Sequence, residues 1–374
     1  MNLGPHRIVA LTLALGLAGC KAAAPSPRAT VVARIADLVK VTNPEGIDTL
    51  EQIPIGDTRQ WISIRGRDRG NPILLFIHGG PGNPTMPVSW AFQKPWEDYF
   101  TVVQWDQRGT GKSAFPPSTR DRFAPTMTLN QFVEDGLAVI DHLRRQLGQE
   151  KVIVMGWSWG TAVGARMALR SPDRIHAYVG MGQVVSVGAE RIVYDRTLAL
   201  ARQEGNAQAV RELEGVAPYP GPHNEGLMAG VGTVRKWARA FNGGWYGRKD
   251  LALYNALPQW APEYTDADLA AQEGAGDWAL PLLLADVVRH DLAEEGLEYR
   301  VPVVFLMGRH DLHTPIEPVE EYFHRIQAPA KRLVTFEKSG HFLMFEEPGR
   351  LLVTLVQEVL PFATGKGPRV GAPK

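Results

Sequence analysis

The strongest constraint on the fold is a repeated alternation of short apolar runs with helical patterns. Most of the runs contain hardly any polar residue, as expected of strands that are buried on both faces of a sheet. The alternation predicts an α/β fold with a mostly parallel central sheet flanked by helices. The candidate strands are Ile73–Ile77, Thr101–Trp105, Val152–Met155, Ile175–Val179, Val303–Met307 and Leu333–Phe336.

Helices and a hairpin are predicted around these strands. Apolar residues recur at steps of three and four from about Leu129 to Leu147, and Gly148 ends the pattern, which predicts an amphipathic helix. Further helices are predicted after Ser158 and over about residues 350–360. A hairpin is predicted ahead of the sheet, with strands at Ile47–Ile55 and Gln60–Arg65.

The strand alternation stops between about Val184 and Tyr299, where helices and loops are predicted instead. Because strands resume at Val303, we interpret this stretch as a helical cap inserted between two strands; a linear second domain is the alternative. The predicted organisation is a signal peptide at 1–19, a lipid-anchored linker at 20–45, an α/β core at 46–183 and 300–363, the cap at 184–299 and a disordered tail at 364–374.

Composition excludes several classes of protein. The chain has 374 residues with 40 Lys and Arg against 40 Asp and Glu, and this balance argues against a partner as acidic as nucleic acid. A hydrophobic content of 44% excludes a mainly disordered chain. Its single cysteine, Cys20, excludes a disulfide framework and a cysteine-based zinc site.

Cys20 lies at the end of a candidate export signal. Arg7 precedes the apolar run Ile8–Leu17, which is too short to span a bilayer as a helix, and Leu17-Ala18-Gly19-Cys20 follows. This arrangement resembles the lipobox of bacterial lipoproteins, which implies cleavage before Cys20 and a membrane anchor on its sulfur. An ordinary secretory signal is the alternative. By the same resemblance, Lys21 implies the periplasmic face of the outer membrane, or the cell surface.

The most specific local motif is Gly156-Trp157-Ser158-Trp159-Gly160, between a predicted strand and a predicted helix. Such a turn exposes the serine above the sheet at a helix N-terminus, where developing negative charge is stabilised, while the glycines remove side chains that would collide. We therefore predict Ser158 as a nucleophile. An incidental serine in a tight turn is the alternative.

A serine nucleophile needs a base, and the base needs an orienting acid. His341 follows the last predicted strand, and Asp311 follows the strand Val303–Met307. The chain order Ser158, Asp311, His341 is that of α/β-hydrolases, so these three residues are the predicted catalytic triad.

The predicted oxyanion hole consists of two backbone N–H groups. One belongs to Trp159, directly after the nucleophile, and the other to Gly80 in the loop after Ile73–Ile77, with Gly79 as the alternative. His78 in the same loop is interpreted as a residue that fixes the loop.

Two other motifs suggest different chemistry and are rejected. His310 and His313 resemble a metal-binding pair but lack a third ligand at suitable spacing, so surface or hydrogen-bonding roles are favoured. Asp106–Ser113 (DQRGTGKS) has Asp106 where a nucleotide-binding loop needs glycine. We expect a structural loop there, with Asp106 and Arg108 in local ion pairs, and no metal or organic cofactor.

Taken together, these motifs resemble the proline iminopeptidase family of α/β-hydrolases. The resemblance rests on His78–Gly82 (HGGPG), Asp106–Ser113, Ser158-Trp159-Gly160, Asp311 and His341, and it covers roughly Gln60–Phe362. It implies an enzyme that releases an N-terminal residue, often proline, from a peptide and binds the free amine through acidic residues of the cap.

The sequence departs from that family at Trp157, where family members usually have glycine. The cap contains many acids but no motif that identifies an amine-binding pair: Glu190, Glu204, Glu212, Glu214, Glu225, Glu263 and Glu273. Its aromatic residues Trp237, Trp245, Tyr246 and Trp260 are candidates for an apolar pocket or for core packing. A carboxylesterase or amidase acting on small acyl substrates, and a non-catalytic binding lipoprotein, are the alternative functions. Substrate-binding residues and oligomeric state are not predicted.

Overall fold

The structure is a computed structural model that describes Met1, residues 26–224 and residues 226–365. The predicted lipidation site Cys20 and the predicted signal peptide, apart from Met1, lie outside the described residues. So do Glu225 and the tail beyond Gly365. The predicted boundaries of the signal peptide, cap and tail therefore stay predictions.

Within the described residues, one sheet of eight strands forms the centre of the fold. The strands are β1 (Ile47–Ile55), β2 (Thr58–Gly66), β3 (Ile73–Ile77), β4 (Thr101–Asp106), β5 (Val152–Trp157), β6 (Ile175–Met181), β7 (Val303–Gly308) and β8 (Lys331–Phe336). Their spatial order is β1-β2-β4-β3-β5-β6-β7-β8. The pairs β1–β2 and β2–β4 are antiparallel, and all later neighbours are parallel.

The sheet confirms the predicted α/β fold class, with the predicted hairpin as β1 and β2. Several strands are longer than their apolar runs. In β5, for example, Gly156 and Trp157 continue the parallel ladder by pairing with Gly180 and Met181 of β6. Pairing with a neighbour, which composition does not show, sets where these strands end.

The helices flank the sheet and fill the long connection between β6 and β7. They are α1 (Pro27–Val39), α2 (Arg120–Phe123), α3 (Leu129–Leu147), α4 (Trp159–Arg170), α5 (Ala189–Gln203), α6 (Ala207–Glu214), α7 (Leu227–Ala240), α8 (Ala252–Ala256), α9 (Asp266–Gln272), α10 (Ala275–Arg289), α11 (Leu292–Glu295), α12 (Ile316–Arg325), α13 (Leu343–Glu346), α14 (Pro348–Thr354) and α15 (Leu360–Thr364). A π-helical turn at Leu355–Val359 joins α14 to α15. No helix in the described part of the chain combines the length and apolarity needed to cross a bilayer.

Alternate residues of the central strands face two separate hydrophobic clusters. On β3, Ile73, Leu75 and Ile77 pack on one side with residues of α3 and α4, whereas Leu74 and Phe76 pack on the other side with residues of α14. Every residue of β3, β4, β5 and β7 is buried. Burial on both faces explains the continuous apolar runs of the sequence.

The residues between β6 and β7, 182–302, are called the insert here. They contain α5 to α11 and have a hydrophobic cluster of their own, in which side chains of α5, α6 and α7 pack together with Leu312 from the core. The insert lies over the carboxyl ends of the parallel strands, where it contributes to the cavity described below.

The region predicted as a linker, 20–45, differs from that prediction because it contains α1. The Ser26 hydroxyl accepts the Ala29 N–H at 3.1 Å and caps the helix. Arg28 donates to the carbonyl oxygens of Gln259 (2.8 Å) and Tyr264 (3.1 Å) in the insert. At the other end, Lys94 Nζ donates to the Val39 carbonyl at 2.8 Å. α1 is therefore hydrogen-bonded to both the insert and the core.

Candidate active site

Ser158 occupies a strained turn between β5 and α4. Its φ of 54° and ψ of −122° place a non-glycine residue at positive φ. The turn is fixed by the Ser158 N–H, which donates to the Met181 carbonyl at 3.0 Å, and by Thr161 Oγ1, which donates to the Ser158 carbonyl at 2.6 Å. Backbone strain of this kind is maintained by surrounding structure and is characteristic of functional sites.

The two glycines of the motif are required by close backbone contacts. A Cβ on Gly156 would overlap the Gly160 carbonyl oxygen, and a Cβ on Gly160 would overlap the carbonyl oxygen of Ile77 at the end of β3. The predicted reason for Gly156 and Gly160, the removal of colliding side chains, therefore agrees with the geometry of the turn.

Asp311 and His341 are brought together from the loops after β7 and β8. His341 Nδ1 lies 2.7 Å from Asp311 Oδ2, and both side chains are almost fully buried. The carboxylate also accepts the N–H groups of His313 (2.6 Å) and Thr314 (2.9 Å). Four donors, counting the Thr314 hydroxyl at 2.8 Å, hold Asp311 in one orientation toward the imidazole.

Trp157 and Glu346 hold the His341 loop through contacts that the sequence does not predict. The indole Nε1 of Trp157 donates to the His341 carbonyl at 2.9 Å. Glu346 accepts the N–H groups of Gly340 and Phe342, each at 2.8 Å, as well as that of Tyr246. Burial raises the pKa of Glu346 to about 7, although these three N–H groups favour its ionised form.

The loop after β3 brings glycine backbone next to Ser158. A Cβ on Gly79 would lie 3.2 Å from Ser158 Cβ, and Gly80 adopts a φ of 117° that favours glycine. His78 fixes this loop: its Nδ1 bonds the Gly79 carbonyl at 2.8 Å, and its Nε2 accepts the Gln107 N–H at 3.3 Å. Burial lowers the pKa of His78 to about 4, so the ring is neutral, in agreement with the predicted loop-fixing role.

A cavity of about 490 Å³ lies between the core and the insert. Ser158, Trp159, His341, Gly79 and Gly80 all line it on the core side. Its insert side is formed mainly by α7 and by residues 183–187, together with residues of α5, α8 and α10. Four of the five predicted catalytic and oxyanion-hole residues, and the alternative Gly79, thus line one cavity of a size that holds a small ligand, and the fifth, Asp311, lies directly behind His341.

Few of the candidate insert residues reach this cavity. Within the described residues, Glu190 is the one carboxylate that lines it; Glu204, Glu214 and Glu273 are exposed, Glu212 pairs with Lys236, and Glu263 is buried near Arg65. The cavity lining includes Tyr254 but none of Trp237, Trp245, Tyr246 and Trp260. Trp237 and Trp245 pack in hydrophobic clusters instead.

The two rejected motifs have structural environments of their own. His310 is exposed and stacks on Tyr246, whereas His313 lines the cavity with its ring 4.9 Å from that of His341. The Nε2 of His313 is buried without a hydrogen-bond partner among the described residues, and the role expected of this ring stays a prediction. In the described part of the chain, no three His, Cys, Asp or Glu side chains are grouped so as to hold a metal ion.

The DQRGTGKS loop packs below the site. Arg108 forms the expected ion pair, with Asp135 at 2.8 Å. Asp106 does not: its Oδ2 accepts the Lys112 N–H at 2.7 Å and the Tyr264 hydroxyl, and no cation lies within 4.0 Å of it among the described residues. Tyr264 belongs to the insert, so this loop joins the core to the insert.

The insert is also hydrogen-bonded to the loops that carry Asp311 and His341. The carbonyl of Gly243 accepts the Leu312 N–H at 2.8 Å, and the carbonyl of Gly244 accepts the His341 N–H at 2.7 Å. From α7, Arg235 Nη1 donates to the Leu312 carbonyl at 2.9 Å. The segment that follows α7 is therefore part of the support of the site.

This fold and this site define an α/β-hydrolase. The family model of the alpha/beta hydrolase fold matches residues 72–348, and the chain belongs to that family. Within it, the chain is proline iminopeptidase-like. It is 30% identical over 318 residues to the probable aminopeptidase YbaC of Bacillus subtilis, an alignment that covers 84% of this chain and 97% of the relative.

Further relatives and solved structures agree with this placement. The proline iminopeptidase of Neisseria gonorrhoeae is 26% identical over 323 residues, covering 80% of this chain and 93% of the relative. The crystal structure of a proline iminopeptidase-related protein from Thermus thermophilus superposes with a TM-score of 0.62 at 21% identity, covering 86% of this chain and 99% of the other. At that identity the superposition supports the fold alone.

Proposed function

We propose that the chain is a serine hydrolase that removes N-terminal proline or small apolar residues from peptides through an acyl-enzyme. One observation carries the proposal. Ser158, on its strained turn, and His341, bonded to Asp311 at 2.7 Å, line the same cavity as the Gly80 and Trp159 backbone. The relatives that are described as aminopeptidases support the choice of a peptide substrate.

The proposed mechanism has two steps. His341 Nε2 takes the Ser158 proton as the oxygen attacks the substrate carbonyl, and the N–H groups of Gly80 and Trp159 stabilise the oxyanion. His341 then protonates the leaving amine. In the second step His341 deprotonates water, which attacks the acyl-enzyme, and His341 then returns that proton to Ser158 Oγ as the amino acid is released. Asp311 holds the imidazole tautomer with Nδ1 protonated throughout.

Replacing Ser158 by Ala tests the nucleophile. Because the hydroxyl makes the covalent intermediate, kcat should fall on the order of 10⁶-fold while the circular dichroism spectrum stays unchanged. A fluorophosphonate probe should label the native chain and not the variant. Turnover that survives in Ser158→Ala would reject the assignment, and a native chain that the probe does not label would favour the non-catalytic binding protein.

A carboxylesterase or amidase is the second candidate, and the state of Glu190 favours it. This carboxylate is already bonded to Arg235 and to the Tyr219 hydroxyl, so it is poorly available for a substrate amine. Prolyl and alanyl p-nitroanilides, their N-blocked forms and short p-nitrophenyl esters separate the candidates. If blocked substrates react as fast as free-amine substrates, the aminopeptidase proposal is wrong.

We further propose export and lipid anchoring through Cys20, with the folded part on the periplasmic face of the outer membrane or at the cell surface. The proposal rests on the lipobox-like sequence before Cys20. Cell fractionation after expression in a two-membrane bacterium tests it. The native chain should sediment with membranes, and Cys20→Ser should move to the soluble fraction or stay unprocessed. A native chain found entirely in the soluble fraction would contradict the anchor.

A further inference from the structure

One face of α7 is aligned with the cavity. Leu227, Val231, Arg235 and Arg239 follow one another at steps of four residues, and all four line the cavity. Such spacing places side chains on the same side of a helix, so the cavity wall changes from apolar to cationic along α7. Two guanidinium groups at this spacing repel each other, so the groups around each arginine determine whether its charge is compensated.

Arg235 is neutralised by the chain itself. Its Nη2 pairs with Glu190 Oε1, and its Nη1 donates to the Leu312 carbonyl at 2.9 Å. The second oxygen of Glu190 accepts the Tyr219 hydroxyl at 2.7 Å. Glu190 and Arg235 therefore form a satisfied pair at the cavity wall.

Arg239 has no such compensation among the residues that the structure describes. No described carboxylate lies within 4.0 Å of its guanidinium, and its Nε is buried without a hydrogen-bond partner. Burial, followed by repulsion from Arg235, lowers the pKa of Arg239. A half-buried cation without a counter-charge is destabilising, and an anion bound beside it would offset that cost.

Arg239 also lies near the reacting residues. A Cβ on Gly244 would be 3.2 Å from Arg239 Cγ and 3.4 Å from His313 Nε2, so both side chains pack against the same point of the backbone. The His313 ring lies 4.9 Å from the ring of His341. Arg239, His313 and His341 are thus neighbours in the lining of the cavity that also contains Ser158.

We propose that Arg239 binds a free carboxylate of the substrate, so that the preferred substrates are short peptides that retain their C-terminal carboxylate. The guanidinium offers paired N–H donors that match a carboxylate, and the cavity of about 490 Å³ suits a short peptide. This inference rests on the proposed hydrolase function, since it names the class of substrate for the same site.

The test compares Pro-Leu with Pro-Leu amide, which differ only in the charged group. The native enzyme should have a kcat/KM at least about 10-fold higher for the free acid, and Arg239→Gln should bring the ratio of the two values to about 1. Arg239→Lys, which keeps the charge, should retain part of the preference. Arg202→Gln removes an exposed arginine of α5 that does not line the cavity, and it should keep the native ratio.

A ratio near 1 in the native enzyme, or a ratio that Arg239→Gln leaves unchanged, overturns the inference while the proposed hydrolase function stands. If neither peptide is hydrolysed, the peptidase proposal fails, and calorimetric titration with hexanoate and hexanamide decides the inference without turnover. Binding of hexanoate alone, lost in Arg239→Gln, supports the carboxylate site, and equal behaviour of the two probes rejects it. Arg239→Met, which keeps an aliphatic stem, replaces Arg239→Gln if that variant misfolds.

Discussion

At the scale of single residues, Asp106 shows how burial and hydrogen bonding oppose each other on one carboxyl group. Its Oδ2 accepts the Lys112 N–H and the Tyr264 hydroxyl, which favours the ionised form, while its Oδ1 is buried without a partner among the described residues. Burial is the larger effect and raises the pKa from 3.8 to about 7. The folded chain therefore holds this proton more tightly than the unfolded chain.

Asp106→Asn tests this balance. Because the folded pKa is the higher one, Asp106 makes the free energy of unfolding fall as pH rises from about 4 to about 7. An asparagine oxygen in place of Oδ2 keeps both hydrogen bonds and carries no charge. Urea unfolding should therefore show the variant gaining stability relative to the native chain as pH rises through this window. If the free energies of unfolding of the variant and the native chain differ by the same amount at every pH, the account is contradicted. Asp121→Asn, at an exposed position, is the control.

Residues of the site differ in how well the sequence predicts them. Ser158, Asp311 and His341 are predicted because each follows a strand in a recognisable local motif. Trp157 could not be assigned its contact with His341 from sequence, since 184 positions separate the two residues. The same holds for Arg239, whose position on the cavity depends on where α7 packs.

At the scale of secondary structure elements, the junction of β5 and α4 depends on contact with β3. The N-terminal turn of α4 approaches β3 so closely that Gly160 leaves no room for a side chain beside the Ile77 carbonyl. The contact fixes the height of Ser158 above the sheet. It also joins the proposed nucleophile to the loop that carries Gly79 and Gly80.

Gly160→Ala should displace α4 from β3. Overlap with backbone cannot be relieved by a side-chain rotation, so we expect a loss of about 3 kcal/mol in the free energy of unfolding, measured by urea titration, and loss of fluorophosphonate labelling. Gly164→Ala is the matched control on α4. A Cβ there meets side chains, those of Tyr178 and Val154 at 3.0 and 3.2 Å, and not backbone, so its loss of stability should be smaller. Equal stability of the two variants would contradict the explanation.

The helices α3 and α1 show what periodicity can and cannot predict. The bounds of α3 agree with its apolar repeat, since Thr128 caps its start by accepting the Gln131 N–H and Gly148 ends it at a φ of 66°. In contrast, α1 buries little: Val39 is its one buried residue. Its docking depends on hydrogen bonds to distant carbonyls, which leave no periodic signal in the sequence.

At the scale of the whole molecule, α1 joins the insert to the core. Arg28 at its start bonds two carbonyls of the insert and pairs with Asp266 at 2.9 Å. At its end, the Val39 carbonyl accepts Lys94 of the core. This helix thus contacts both parts of the hydrolase.

Arg28→Ala should release the start of α1 from the insert. Hydrogen exchange measured by mass spectrometry should become faster in peptides that cover residues 27–33, since opening of this end no longer breaks three contacts. The exposed Arg34→Ala on the same helix is the control and should leave exchange unchanged. Unchanged exchange in Arg28→Ala would show that the contacts do not hold the helix.

The hydrogen bonds from Gly243 and Gly244 to Leu312 and His341 have a consequence for substrate exchange. Any motion that lifts this segment away from the core breaks both bonds and frees the loops that carry the base and its orienting acid. An opening by that route would disassemble the proposed catalytic residues at the moment of entry. A route for substrate and product that leaves residues 243–244 in place would keep those residues assembled.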